Sequence, residues 1–352
     1  MPKHGFIYTI STLLGLALGI IAGLVVTKFA GENPLHVLQV IIHSAFGSRY
    51  DLGLTLFYAT PLIFCGLSVA MALNAGLFSI GAEGQLNIGA LAAAAVGACL
   101  PNVPGILAPC LALLAAALAG GIWAWIPGWL RVVKGSHEVI NTIMMNFIAY
   151  AFCGWIVRVY LQNPASQNPE TKDMGAAYFI RAHDPIAHFF GDAPVSMAFP
   201  IALLIALLLW LFLEKTKLGF ELKACGENED AAKLAGIPVK RLRLLAMVLA
   251  GALAGWVALP EVLGNVGRYR IGFSADYGFI GIAVALLAQN NPLLVVPAGI
   301  LFGALHKGAG DLDIETEHVT RDLSLIIQAL VILSVSLSAY FPLWWMNRRK
   351  KP

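Results

Sequence analysis

The chain has 352 residues, 59% of them hydrophobic and 12% charged, with a formal net charge of +3. Ordinary soluble domains carry about 25% charged residues, so a soluble globular enzyme is excluded and a membrane protein indicated. The slight excess of 23 basic over 20 acidic residues lies mainly in loops, which argues against nucleic-acid binding.

A helix needs about 20 apolar residues to cross the hydrocarbon core. The sequence predicts spans at 6–27, 52–73, 86–100, 105–126, 139–160, 197–213, 244–262, 276–289, 293–307 and 323–346. The segments at 86–100, 276–289 and 293–307 are short enough to be half-helices, so the expected fold is an all-α polytopic membrane protein with eight to ten spans. Phe6 to Val26 exceeds the apolar core of a signal peptide, about 7–15 residues, and reads as a first span that stays. The whole of 1–352 reads as one transmembrane domain.

Basic residues orient it. With the N-terminus inside, Lys3, Arg131, Lys134, the seven basic residues of the 214–243 loop and the 348–351 tail all fall on the inner side. Both termini are therefore expected in the cytoplasm. Loops 28–51 and 161–196 fall outside. Pro34 to Phe46 suits a short helix along the interface, and the four prolines at 164, 169, 185 and 194 predict little regular structure in 161–196. Tyr340, Trp344 and Trp345 suit the aromatic belt. Gly15, Gly19 and Gly23, like Gly251 and Gly255, recur every four residues, as close helix packing requires.

Polar residues inside spans are costly and so informative. Asn74 to Gly89 breaks the apolar pattern, with glycines at 76, 81, 84 and 89 that permit unwound backbone and with Glu83, Gln85 and Asn87 close together. Two readings are open: part of a translocation path, or a structural re-entrant turn with Glu83 capping a helix end. A second break, Gln289-Asn290-Asn291-Pro292, lies in the other half, and paired interruptions point to a midplane site. Asn141 and Asn146 put amides into the fifth span, to line a polar path or to bridge neighbouring helices. Arg158, near the outer end of that span, reads as a snorkelling side chain.

The segment 214–243 is the long charged loop on the inner side. Within it, Glu227 to Ala235 reads as a short helix outside the bilayer, with Glu229 and Asp230 in the first turn, Gly236 as a left-handed stop and Pro238 beyond. Its face of Ala231, Leu234 and Ala235 suits a groove on another protein. Of the five cysteines, Cys65, Cys99, Cys110 and Cys153 lie in predicted spans without C-x-x-C spacing and read, with Cys225, as small buried thiols. No histidine cluster has metal-ligand spacing. The sequence holds no G-x-x-x-x-G-K-[ST], H-E-x-x-H or G-x-S-x-G, so no nucleotide-binding or hydrolytic chemistry is expected of this chain.

Four segments in order, GLFSIGAEGQLNIGA at 76–90, HEVINTIMMNFIA at 137–149, TKLGFELKACGENEDAAKLAGI at 216–237 and GFIGIAVALLAQNNP at 278–292, resemble the permease subunits of ABC importers for simple sugars, ribose-like compounds and nucleosides. The chain is most similar to the larger nucleoside-type permease. The resemblance implies a cytoplasmic coupling signature, acidic-Ala-Ala-x-x-x-Gly, carried here by Asp230, Ala231, Ala232 and Gly236, with Glu227 and Glu229 in the same helix. It implies an ABC ATPase subunit that uses ATP and Mg, no cofactor bound by this chain, a second related permease in a heterodimer, and an external or periplasmic binding protein, in a bacterial inner membrane. Arg268 and Arg270 then pair with carboxylates of the binding protein, or anchor to lipid phosphates. Asn74, Glu83, Gln85, Asn87, Asn141, Asn146, Gln289 and Asn290 are the candidates for the path. The competing expectation is an ion-coupled secondary transporter with Glu83 as the proton-linked carboxylate.

Overall fold

A computed structural model describes residues 2–180, 185–274, 276–316, 325–331, 333, 334 and 337. The helices in chain order are α1 (Pro2–Phe29), α2 (Pro34–Phe46), α3 (Arg49–Asn74), α4 (Ala82–Cys99), α5 (Leu107–Lys134), α6 (Glu138–Ile156), α7 (Pro185–Phe189), α8 (Ala198–Lys215), α9 (Lys217–Glu227), α10 (Glu229–Leu234), α11 (Val239–Gly255), α12 (Tyr277–Leu287) and α13 (Pro292–Glu315). Among the described residues there is no strand. Six helical stretches among the described residues are long and apolar enough to cross a membrane: Arg49–Asn74, Leu107–Lys134, Glu138–Leu161, Ala198–Lys215, Val239–Val266 and Pro292–Leu312. The chain is thus an all-helical polytopic membrane protein. Shorter apolar helices are Leu14–Phe29, Pro34–Phe46 and Tyr277–Leu287. Most of the predicted span at 323–346, the 348–351 tail, Tyr340, Trp344, Trp345 and the Lys3 side chain lie outside what is described.

Local chemistry sets the boundaries. Asn33 opens α2 by accepting from the Leu35 amide at 3.0 Å, with Pro34 at the first helical position, where its missing N–H costs nothing. The helix of the fourth predicted element runs further than the predicted 105–126. It passes through Pro127 and stops at Gly135, whose φ of +68° supplies the left-handed cap. After α11 the chain continues through a π-helical turn, Leu259–Val266, and a second such turn, Val157–Leu161, follows α6.

Two compact units divide the chain: residues 1–58 with 300–352, and residues 59–299. In the first, Gly19 and Gly23 of α1 lie against Val331 and Ile327, where a Cβ would meet the Val331 amide at 3.0 Å and the Ile327 side chain at 2.8 Å. In the second, α4 packs against α5, α6, α11 and α12 and is buried along most of its length. The seam of α5 and α11 is built of small residues. Gly251 and Gly255 face Gly120 and Ala116, as the four-residue spacing predicts, so backbone meets backbone. Cys65, Cys153 and Cys225 are buried, whereas Cys99 and Cys110 are exposed. The expectation of five buried thiols therefore fails for two, which sit at the end of α4 and in the first turn of α5.

Candidate functional site

The interruption predicted over 74–89 is shorter than the sequence suggests. The backbone leaves the helix only from Ala75 to Gly81, and α4 begins at Ala82, so Glu83, Gln85 and Asn87 are helical. The run stays helical because the polar groups of Glu83 and Asn87 find fixed partners inside the protein. Glu83 is fully buried and its carboxylate accepts from the Tyr150 hydroxyl at 2.8 Å, from the Gly278 amide at 2.7 Å and from the Ser274 hydroxyl. Asn87 donates to the Glu83 carbonyl at 2.8 Å and accepts from the Tyr269 hydroxyl at 3.0 Å. Asn146 closes the other side: its amide donates to the Ile80 carbonyl at 2.9 Å and its oxygen accepts from the Gly84 amide at 2.9 Å. Gln85 is buried over Gly81.

Glu83, Asn87 and Asn146 thus meet in one polar hub joining α4, α6 and the segment leading into α12. Glycine is required at its edge, since a Cβ on Gly278 would run into the Glu83 backbone. Asn141 does not reach the hub; it donates to Ser136 at 2.5 Å. Asn74 forms a second node, donating to the Asn290 carbonyl at 2.9 Å and to Ala70. Asn290 and its neighbour Gln289 both adopt positive φ, +60° and +50°, and the Asn290 side-chain oxygen is buried without a hydrogen bond. Sequence reasoning missed Tyr150, Tyr269 and Ser274, and a second buried carboxylate, Glu261, which accepts from the Tyr277 hydroxyl at 3.0 Å. Glu261 lies inside a predicted span, and that alone is a signal for function or pairing.

The charged loop is two helices at an elbow rather than one. Glu227 closes α9, and Asn228 caps α10 by accepting from the Asp230 and Ala231 amides at 3.1 and 3.0 Å. Glu227 is therefore not part of the helix predicted from 227 to 235; the Asn cap starts it two residues later. Gly236 at φ +79° ends α10, with the Ile237 amide returning to the Ala232 carbonyl at 3.0 Å. Glu229 pairs with Lys233 at 2.8 Å and with Arg243 of α11 at 2.6 Å, and these two cations hold its carboxyl below the usual range. Ala232 points inward and is buried. Ala231, Ala235 and Leu234 are exposed, Leu234 at 89%. In the last turn of α9, next to the start of α10, Gly226 lies on the turn after α3, and a Cβ there would meet the Gly76 amide at 2.9 Å.

On the far loops, Arg268 and Arg270 are brought to Glu170. Arg268 lies 3.3 Å from Glu170 and 3.3 Å from Asp173, and Arg270 lies 3.1 Å from Glu170. Isolated bridges, Gln162 to Thr171 and Glu170 to Arg270, add backbone pairing to a loop predicted to have little regular structure. Glu170 is buried, and the Ser166 hydrogen bond, then the two guanidinium groups, hold its carboxyl low.

Comparison with known proteins adds a family to this geometry. Residues 52–336 match the family described as branched-chain amino acid transport system / permease component. The guanosine ABC transporter permease protein NupP of Bacillus subtilis is 35% identical over 96% of each chain. The glucose ABC transporter permease protein TsgB13 of Haloferax volcanii is 35% identical over 88% of this chain and 82% of its own. The nucleoside ABC transporter permease protein NupB of Lactococcus lactis is 31% identical over 92% and 89% respectively.

Proposed function

The chain belongs to the permease-component family of branched-chain amino acid transport systems, and from that premise we propose that it forms the membrane path of an ABC importer for nucleosides. It works in the cytoplasmic membrane as a non-enzymatic subunit. A separate ATPase subunit supplies ATP and Mg chemistry, an external binding protein delivers the cargo, and a second, related permease completes the path. The observation that carries the cargo assignment is the end-to-end likeness to a guanosine permease. A simple sugar is the second reading, favoured by the equally identical glucose permease. The ion-coupled transporter centred on Glu83 gives way to the family membership.

In this reading the exposed Ala231, Leu234 and Ala235 of α10 seat in a groove of the ATPase. Asn228, Gly236 and the ion pairs of Glu229 fix the angle at which they are presented. Asp230, exposed in the first turn, complements the helix dipole. Movement at α10 passes through the Asn228 elbow to Gly226 at the end of α9, and so to the turn before α4. Glu83, Asn87 and Asn146 hold the helices around the path, while Asn74, Gln85, Asn141, Gln289 and Asn290 supply amides near it. Arg268 and Arg270 brace the outer loop through Glu170, and Arg270, half exposed, offers the binding protein a charge.

Uptake of labelled guanosine by proteoliposomes holding both permeases, the ATPase and the binding protein tests this. ATP-dependent uptake, competed by other nucleosides and not by glucose, is expected. Competition by glucose alone transfers the assignment to sugars, and uptake without ATP overturns the reading. Leu234→Asp is expected to cut uptake about 30-fold, the loss of an interface anchor worth roughly 2 kcal/mol.

A further inference from the structure

The unit formed by residues 1–58 and 300–352 contains a charged cluster that the path described above does not use. Lys307, nine-tenths buried within an apolar helix, donates to Asp311 at 2.6 Å and to Ser44 at 3.1 Å, with Asp51 at 3.7 Å. Ser44 also donates to Asp311, and Ser48 donates to Asp51 at 2.6 Å. Among the described residues one lysine thus faces two carboxylates, Asp311 and Asp51. An ionisable group at such a place marks a functional site by default, because burial of a charge is costly.

The cluster adjoins a cavity of about 250 Å³ lined by Leu54, Tyr58, His306, Lys307, Gly310 and Asp311. Its aromatic wall is the pair Tyr58 and His306, with ring centroids 4.7 Å apart. Asp311 is one-third exposed, and only one of its oxygens is engaged among the described residues. The volume is below the roughly 300–1,000 Å³ of pockets for drug-sized ligands, so it takes a sugar-sized group and not a base together with its sugar. An aromatic face suits the C–H side of a furanose, and a carboxylate with spare lone pairs accepts from vicinal hydroxyls.

We propose that this cavity is a binding subsite for the ribose hydroxyls of the cargo, with Asp311 as acceptor and Tyr58 and His306 as the platform. The inference rests on the importer reading above and deepens it. Gly310 gives access for a test, since a Cβ there meets nothing within 4 Å. A Gly310→Cys chain in which Cys99 and Cys110 are replaced by Ser is assembled with its partners, and alkylation of Cys at position 310 is timed. Ribose or guanosine at ten times its dissociation constant slows labelling about tenfold. 2′,3′-Dideoxyguanosine gives no protection, and in Asp311→Asn the labelling rates with and without ribose become equal.

Equal protection by the dideoxy compound, protection by a simple amine and not by ribose, or no protection at concentrations that saturate uptake overturns the proposal. If Asp311→Asn prevents assembly, the dideoxy comparison in the Gly310→Cys chain alone still decides it. Uptake measured on the same vesicles separates the two claims. Failed uptake with intact ribose protection removes the importer reading, whereas normal uptake without protection removes only the subsite.

Discussion

Replacing Glu83 by Ala is the sharpest probe of the polar hub. The change strands the Tyr150 hydroxyl, the Gly278 amide and the Ser274 hydroxyl, which now donate to the carboxylate. A stranded buried donor costs about 1–3 kcal/mol in soluble proteins, while interhelical hydrogen bonds in membranes average about 0.6 kcal/mol. Three donors at the membrane mean give about 2 kcal/mol, and a dry Gly278 amide adds to it. The midpoint of thermal unfolding of the purified chain is expected to fall by about 3 °C. Glu83→Gln keeps one acceptor oxygen and the side-chain volume, so it retains most of that stability. An unchanged midpoint in Glu83→Ala refutes the claim that the hub holds α4, α6 and α12 together. A stable Glu83→Gln chain without uptake assigns the carboxylate to transport itself.

Three more outcomes follow from the packing and the loops. Gly226→Ala places a Cβ 2.9 Å from the Gly76 amide and 3.1 Å from the Asn74 carbonyl carbon. The backbone contact must open, at about 1–3 kcal/mol, and uptake per ATP hydrolysed is expected to fall while ATPase binding persists. Gly251→Val wedges a side chain between α5 and α11, where even a Cβ would meet the Ala124 methyl at 2.5 Å, so detergent extracts should show aggregated rather than monodisperse protein. Glu170 has its folded-state carboxyl held low, first by Ser166 and then by Arg268 and Arg270. Its support of the 161–174 loop is therefore complete above the ordinary carboxylate pKa and is lost as pH falls through the lowered value. Proteolysis of the 161–174 segment should rise on acidification in the native chain and be fast at every pH in Glu170→Gln.

The spans were legible because membrane crossing writes itself into composition. α1, α3, α6, α8 and α12 fall within a few residues of the predicted limits. What was not legible depended on partners distant in sequence. Glu83, Gln85 and Asn87 look like a helix break, yet Tyr150, Ser274 and Gly278 satisfy Glu83 and Asn146 seals the turn, so the helix starts before them. α5 runs on through Pro127 to Lys134, past the predicted limit at 126, because the apolar run continues beyond the proline. In the charged loop the capping chemistry of Asn228, the second residue of the predicted helix, separates α10 from the unpredicted helix α9. Lys307 was visible as a charge at the end of a span, but Ser44 and Asp51, its partners from more than 250 positions away, were not.

The central claim is that α10 stands in the cytoplasm with its apolar face open to an ATPase. Cys225 cannot report on this, since it is buried and burial raises its thiol pKa. Leu234 can, at 89% exposure. In a chain carrying Leu234→Cys with Cys99 and Cys110 replaced by Ser, a membrane-impermeant maleimide should label inverted vesicles and leave intact cells unlabelled, and added ATPase subunit should block the labelling. Labelling of intact cells would contradict the account at its root.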